Sequence, residues 1–139
     1  MEPIERMPTI MAEPVGAKYS TKSESDISEI SFGATGLRVV VETKQGLFEP
    51  IRIEYHFVPR GFRFLDEGDL IRYWESNALM HGYHLFKIAS GGWLDQELQV
   101  PGMLSVTQAV GTFQEWFICT TNGCLNVLSV NEPLIREFK

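Results

Sequence analysis

An α+β fold, a mainly antiparallel sheet of about five to seven strands with one short helix packed on it, is predicted by three observations. Alternating apolar and polar residues recur in short runs, turn signals separate those runs, and only one segment has clear helical spacing. Composition permits such a fold. The 139 residues are 44% hydrophobic, with nine Phe, three Trp and four Tyr, enough apolar material for one core without a disulfide framework.

Residues 1–26 carry Pro3, Pro8 and Pro14 and then the polar run STKSESD, so they read as a flexible N-terminal arm. Residues 27–139 read as a single domain. The opening MEPIERMPTIMAEPVGAKYS has no apolar run of signal-peptide or membrane-span length, and a cytoplasmic location is the expectation; Met7 and Met11 leave the start codon open.

From residue 27 the pattern is β. DISEISF is followed by GLRVVVETKQG, where Leu37, Val39 and Val41 face one way, Arg38, Val40 and Glu42 the other, and KQG turns the chain. EPIRIEYHFV places Ile51, Ile53, Tyr55 and Phe57 on one face and Arg52, Glu54 and His56 opposite. After the break at Pro59, Arg60 and Gly61, Phe62 and Phe64 point to one side and Arg63 to the other. A helix follows, with Leu70, Tyr73, Trp74 and Asn77 as its stripe and an end by Gly82. YHLFKIA returns to strand, SGG turns, and WLDQELQVPGM reads as loop and strand.

FQEWFICTTNGCLNVLSV is the strongest hairpin, with Asn122-Gly123 as its two-residue loop. Trp116, Ile118, Leu125 and Val127 share one face, Phe117 and Leu128 the other. In that register Cys119 faces Asn126 and lies diagonal to Cys124, at about 7–8 Å, beyond the roughly 4.4–6.8 Å that a disulfide spans. Two reduced thiols are therefore expected. NEPLIREFK adds a last short strand with Leu134 or Ile135 packed down.

The net charge of −6 argues against a nucleic-acid surface, which needs clustered Lys and Arg; it serves to keep a small domain soluble, with attraction of a basic protein partner as the other reading. Within GFRFLDEGDLIRYW, Asp66 reads as the helix N-cap and Asp69 as a second acid at the positive end of the dipole. Glu67 and Asp69 are left on the solvent side as partner-binding residues. The stretch lacks the alternating ligands of a calcium loop. Arg63 is expected to brace the corner by pairing with Asp66 or Glu67, and Trp74 to be core.

His81 and His84 lie at i, i+3, but Gly82 and the strand pattern after it send them to opposite faces, and His56 sits on a charged face. No metal site and no cofactor are predicted. SFGATG and SGGW lack phosphate-loop spacing, no Gly-x-Ser-x-Gly elbow is present, and Asp95 with Glu97 is a pair that any acidic chain offers, so no catalytic residue is assigned. Trp93, after SGG, reads either as folded back over the sheet or, at a loop tip with Asp95 beside it, as a partner-binding anchor.

GFRFLDEGDLIRYW, HLFKIASGGWLDQE and EWFICTTNGCLNVLSVNEP together resemble small bacterial immunity proteins of polymorphic toxin and contact-dependent inhibition systems, over residues 36–135. That resemblance implies a non-enzymatic protein that occludes a cognate toxin, and an acidic surface suits a basic toxin domain. Two alternatives stay open: a small-molecule-binding or hydrolytic enzyme with a pocket between helix and sheet, built from His56, His84 and nearby carboxylates, and an oligomerisation or scaffold module using an exposed strand edge.

Overall fold

Strands with one apolar side need a cover on that side, and strands apolar on both sides need two. Both kinds occur in this chain, and together they decide its layers. The structure, a computed structural model, describes residues 9–19, 24–44 and 50–138. The elements are β1 (Met11–Val15), β2 (Ser25–Gly33), β3 (Gly36–Thr43), β4 (Ile51–Phe57), β5 (Pro59–Asp66), α1 (Ile71–Glu75), β6 (Leu85–Ser90), α2 (Trp93–Leu98), α3 (Ser105–Val110), β7 (Gln114–Cys119), β8 (Gly123–Ser129) and β9 (Leu134–Phe138).

They form an α+β fold dominated by two antiparallel sheets, one of five strands in the order β1-β6-β7-β8-β5 and one of four in the order β2-β3-β4-β9. The sheets bury a common layer between them. Leu37, Val39 and Val41 of β3 and Ile53, Tyr55 and Phe57 of β4 meet Leu85, Trp116, Ile118, Leu125 and Val127 of the larger sheet. Each such side chain contributes about 1.5–3 kcal/mol on burial. The outer face of the smaller sheet is ionic, with Arg38 bonded to Glu29 and Glu54, and Arg136 to Glu54. β8 is buried at every position, and the outer face of its sheet is closed by α1 and α2 over Leu70, Tyr73, Phe86, Ile88 and Phe117.

Several expectations change in detail. Nine strands are described, in two sheets instead of one, because the polar outer face of β3 and β4 excludes them from a sheet that is apolar on both sides. The arm expected over residues 1–26 lies partly outside the described residues; within it, Met11–Val15 pairs with β6 as an edge strand, and Ser25–Asp26 begin β2. Of the KQG turn, residues 45 and 46 also lie outside them.

The expected helix, with its stripe running to Asn77, is a 3-10 turn, Glu67–Asp69, followed by the five residues of α1. It stops early because the Ser76 hydroxyl donates to Tyr73 O at 2.6 Å and Asn77 takes a left-handed conformation, φ 58°. Trp93–Leu98 is helix where loop and strand were expected. β9 forms as predicted, yet Leu134 is exposed and Ile135 only partly covered.

The hairpin register differs by one residue on each strand. Thr120 N donates to Gly123 O at 3.1 Å, so Thr121 and Asn122 are the loop and Cys119 faces Cys124 directly. An Asn-Gly turn of the predicted type needs positive φ at both residues, and neither Asn122 nor Gly123 has it. Gly123 is small for another reason: a Cβ there would lie 2.6 Å from the ring of Phe64. The loop takes its shape from β2, through Thr121 N to Ser25 O and Asn122 Nδ2 to Asp26 Oδ1.

Candidate functional site

Alternation along β7 sends Glu115, Phe117 and Cys119 to the outer face of the larger sheet, and the register sets Asn126 and Cys124 of β8 and Arg63 and Leu65 of β5 beside them. This face carries a polar cluster at one end and a cleft at the other.

The cluster is centred on Glu115, 1% exposed. Its Oε2 accepts from Tyr73 Oη at 2.6 Å and from Asn126 Nδ2 at 2.8 Å, and its Oε1 accepts from Leu94 N at 3.0 Å. Tyr73 Oη in turn accepts from Trp93 N at 2.8 Å. Arg63 Nε donates to Asn126 Oδ1 at 2.9 Å, and its guanidinium lies 4.9 Å over the Trp93 ring.

Burial pushes the Glu115 carboxyl above the ordinary carboxylate range, against the pull of the hydrogen bonds from Tyr73, Leu94 and Asn126 and the charge of Arg63. Burial, then the neighbouring Glu115, also raises the Tyr73 phenol. These groups satisfy one another. Their chemistry is that of an anchor: the N-cap position of α2 is Gly92, which has no side chain to cap with, and the Glu115 carboxyl from β7 takes the orphan N–H of Leu94.

Space at this anchor is tight. A Cβ on Gly92 would lie 2.5 Å from Glu115 Oε1 and 2.9 Å from Tyr73 Oη. Gly92→Ala is expected to lower stability by about 1–3 kcal/mol, the range for overpacking a filled core, and urea denaturation measures it. An unchanged midpoint would mean that the cluster is looser than its distances.

The cleft, about 600 Å³, lies where the chain runs from α1 into β6 and past the β7–β8 loop. That volume is within the roughly 300–1,000 Å³ of small-molecule pockets. Its walls include Glu67, Trp74, His81, His84, Cys119 and Thr121. His84 is 7% exposed, its ring centroid is 5.2 Å from that of Tyr19, and its Nδ1 has no hydrogen-bond partner among the described residues. Burial pulls its pKa down from the ordinary 6.5 to about 4, so the imidazole is neutral at physiological pH.

The sequence-selected residues divide between these features. Asp66 is a cap, as expected: its Oδ1 accepts from Gly68 N at 2.8 Å at the head of the 3-10 turn. Arg63 does not pair with Asp66 or Glu67; it projects onto the outer face at the Asn126 register position and is taken up by Asn126 and Trp93. Of the two readings of Trp93 the loop tip is not found: it is the half-buried first residue of α2, its ring lies against Arg63 of β5, and its Nε1 donates to Glu97 Oε1 at 3.1 Å. Trp74, expected in the core, is 36% exposed, with Nε1 donating to Glu67 O at 2.6 Å. Asp95 accepts from Gly91 N at 2.7 Å, while Glu67 and Asp69 are exposed.

His81 and His84 share the cleft, whereas His56 lies on the outer face of the other sheet with Nε2 2.9 Å from Thr35 O. Among the described residues no group of three or more His, Cys, Asp or Glu is arranged to hold a metal, and no helix is long and apolar enough to cross a membrane.

Sequence reasoning passed over Glu115 and Asn126 as a polar centre and placed Tyr73 only in the helix stripe. One signal was available: a Glu and an Asn each alternate with fully apolar neighbours in EWFIC and CLNVL, a pattern that marks buried polar positions on a covered face. A second was the run from Leu98 to Gln114, which has no charged residue and exposes Val100, Met103 and Val106 around α3. No family model matches the chain, and no curated protein or solved structure is found to be similar to it.

Proposed function

We propose that the chain is a non-enzymatic binding protein, immunity-like in action, that occludes a basic partner with the corner between β5 and α1. The observation that carries this reading is Trp74. Its indole is fixed by the bond to Glu67 O, stays 36% exposed, and belongs to a short stretch in which Asp66, Glu67, Asp69 and Glu75 are all exposed. A rigid aromatic with an acidic surround is the composition of an interface anchor, because the ring gains contact area at little entropic cost while the carboxylates steer a cationic surface into place. The net charge of −6 acts in the same sense.

Affinity capture from the source cells with three baits tests it: wild type, Trp74→Ala, and the double variant Glu67→Lys/Asp69→Lys. A basic protein held by the wild type, released by moderate salt, and retained at least about tenfold less by either variant is the expected result. The captured protein should lose its own activity on adding the wild-type chain. Equal retention by all three baits would refute the assignment of the face.

A small-molecule or hydrolytic role keeps one specific observation, the convergence of His81, His84, Glu67 and Cys119 on a single cleft. His56, the other histidine first assigned to such a pocket, is not part of it. Hydrolysis of an ester panel that is lost in both Cys119→Ser and His84→Gln would favour this second reading.

A further inference from the structure

We infer that Cys119 and Cys124 are a reversible oxidation site, a cross-strand dithiol that closes to an intrachain disulfide when a hydroperoxide enters the cleft beside α1. The hairpin register carries this. The two residues are direct partners across β7 and β8. Cys119 N donates away from Cys124, to His84 O on β6, at 2.8 Å, while the hydrogen-bonded pairing falls at the next position, Thr120 with Gly123. The cysteines therefore occupy a non-hydrogen-bonded site, where Cα atoms sit about 4.5 Å apart, inside the roughly 4.4–6.8 Å that a disulfide spans.

Both side chains project to the outer face, among Leu70, Phe117 and Leu65. Both thiols are free. Their exposure differs. Cys124 is fully buried, whereas Cys119 is half-buried and forms part of the cleft wall.

That asymmetry assigns the steps. The Cys119 sulfur attacks the terminal oxygen of the hydroperoxide, the O–O bond breaks, the alkoxide leaves with the thiol proton as an alcohol, and Cys119 becomes a sulfenic acid. The Cys124 sulfur then attacks the Cys119 sulfur, the S–O bond breaks, and the hydroxide leaves with the Cys124 proton as water. Two sulfurs are oxidised by two electrons in total, and one O–O bond is reduced.

In the reduced pair the interaction with Cys119 lowers the Cys124 thiol, while the interaction with Cys124 and burial raise Cys119, the group that must react first. Glu67 adds a smaller push in the same direction on Cys119, and together these make the first step slow. Cβ atoms of such a pair stand about 4.5–5.5 Å apart and must close to about 3.5–4.5 Å, a strain that keeps the bond reducible by ordinary dithiols.

The test is intact mass with thiol labelling on the full chain after hydrogen peroxide. Wild type should lose two hydrogens and both maleimide-reactive thiols, remain monomeric on non-reducing gels, and recover both thiols with dithiothreitol. Cys124→Ser should instead accumulate a dimedone-reactive sulfenic acid at Cys119, and Cys119→Ser should leave Cys124 unreacted in the folded state. Wild-type protein that gains oxygen at Cys119 while Cys124 stays free, forms only intermolecular disulfides, or does not react would overturn the inference. The readout in wild type does not depend on either variant folding.

Discussion

Glu115→Ala is expected to cost about 3–5 kcal/mol, the range for breaking a buried polar network by removing one member. Three donors lose a bond at once: the phenol of Tyr73 and the backbone N–H of Leu94 lose their acceptor, and the amide of Asn126 keeps only Tyr73 Oη. Only 1% of Glu115 is exposed, so the unfilled space is not open to bulk water. Tyr73 belongs to α1 and Leu94 to α2, and the change should loosen the helical cover before it loosens the sandwich. Urea denaturation gives the loss, and amide exchange should show α1 and α2 exchanging faster than β7 and β8. A loss below about 1 kcal/mol would mean that the carboxyl is not the anchor of this face.

The same residue sets a pH term of known sign. Its folded pKa is raised, so the folded state holds the proton more tightly than the unfolded chain. The stability it contributes is fully present below the unfolded value, near pH 4.5, and is lost as pH rises through the folded value. Glu115→Gln should flatten that part of the profile, while costing about 1–2 kcal/mol because the amide N–H₂ must face either the Asn126 or the Leu94 donor.

His84 should act in the opposite direction. Its pKa falls from 6.5 to about 4 on folding, because burial disfavours the imidazolium. Between those values the unfolded chain binds the proton and the folded one does not, so stability rises with pH through this window and is fully present above about pH 6.5. The total is about 3 kcal/mol, lost on acidification toward pH 4. Urea midpoints for wild type and His84→Gln, measured from about pH 7.5 down to about 4.5, should converge as pH falls, since only the wild type carries this term. Parallel lines would dispose of it. The expected first site of acid opening is the wall around His84, where the Tyr19 ring packs and Tyr19 N donates to Gly82 O at 2.7 Å.

Local patterns carried much of this molecule. The split of β3 into Leu37, Val39, Val41 against Arg38, Glu42 is the split between core and ionic outer face, because side chains alternate and one sheet face was wet. The same holds for β4 and for Trp116, Ile118, Leu125 and Val127 of the hairpin. Asp66 as a cap was legible since its partner, Gly68 N, is two residues away. α2 was not legible because the acceptor that holds its first turn, Glu115, is 21 residues distant from Leu94. The hairpin register slipped in the reading because Gly123 answers to the ring of Phe64, a residue of another strand.

The chain by itself determined an α+β fold rich in antiparallel strands, which faces of those strands are buried, and an acidic solvent side, for each depends on spacing and composition within a few residues. Tertiary structure alone decided that there are two sheets, that Arg63 serves Asn126 and Trp93 instead of the acidic corner, that Trp74 and not Trp93 is the ring left at the surface, and that Cys119 meets Cys124. These outcomes depend on contacts between strands far apart in sequence. There, a shift of one residue changes which side chains face one another while leaving every local pattern intact.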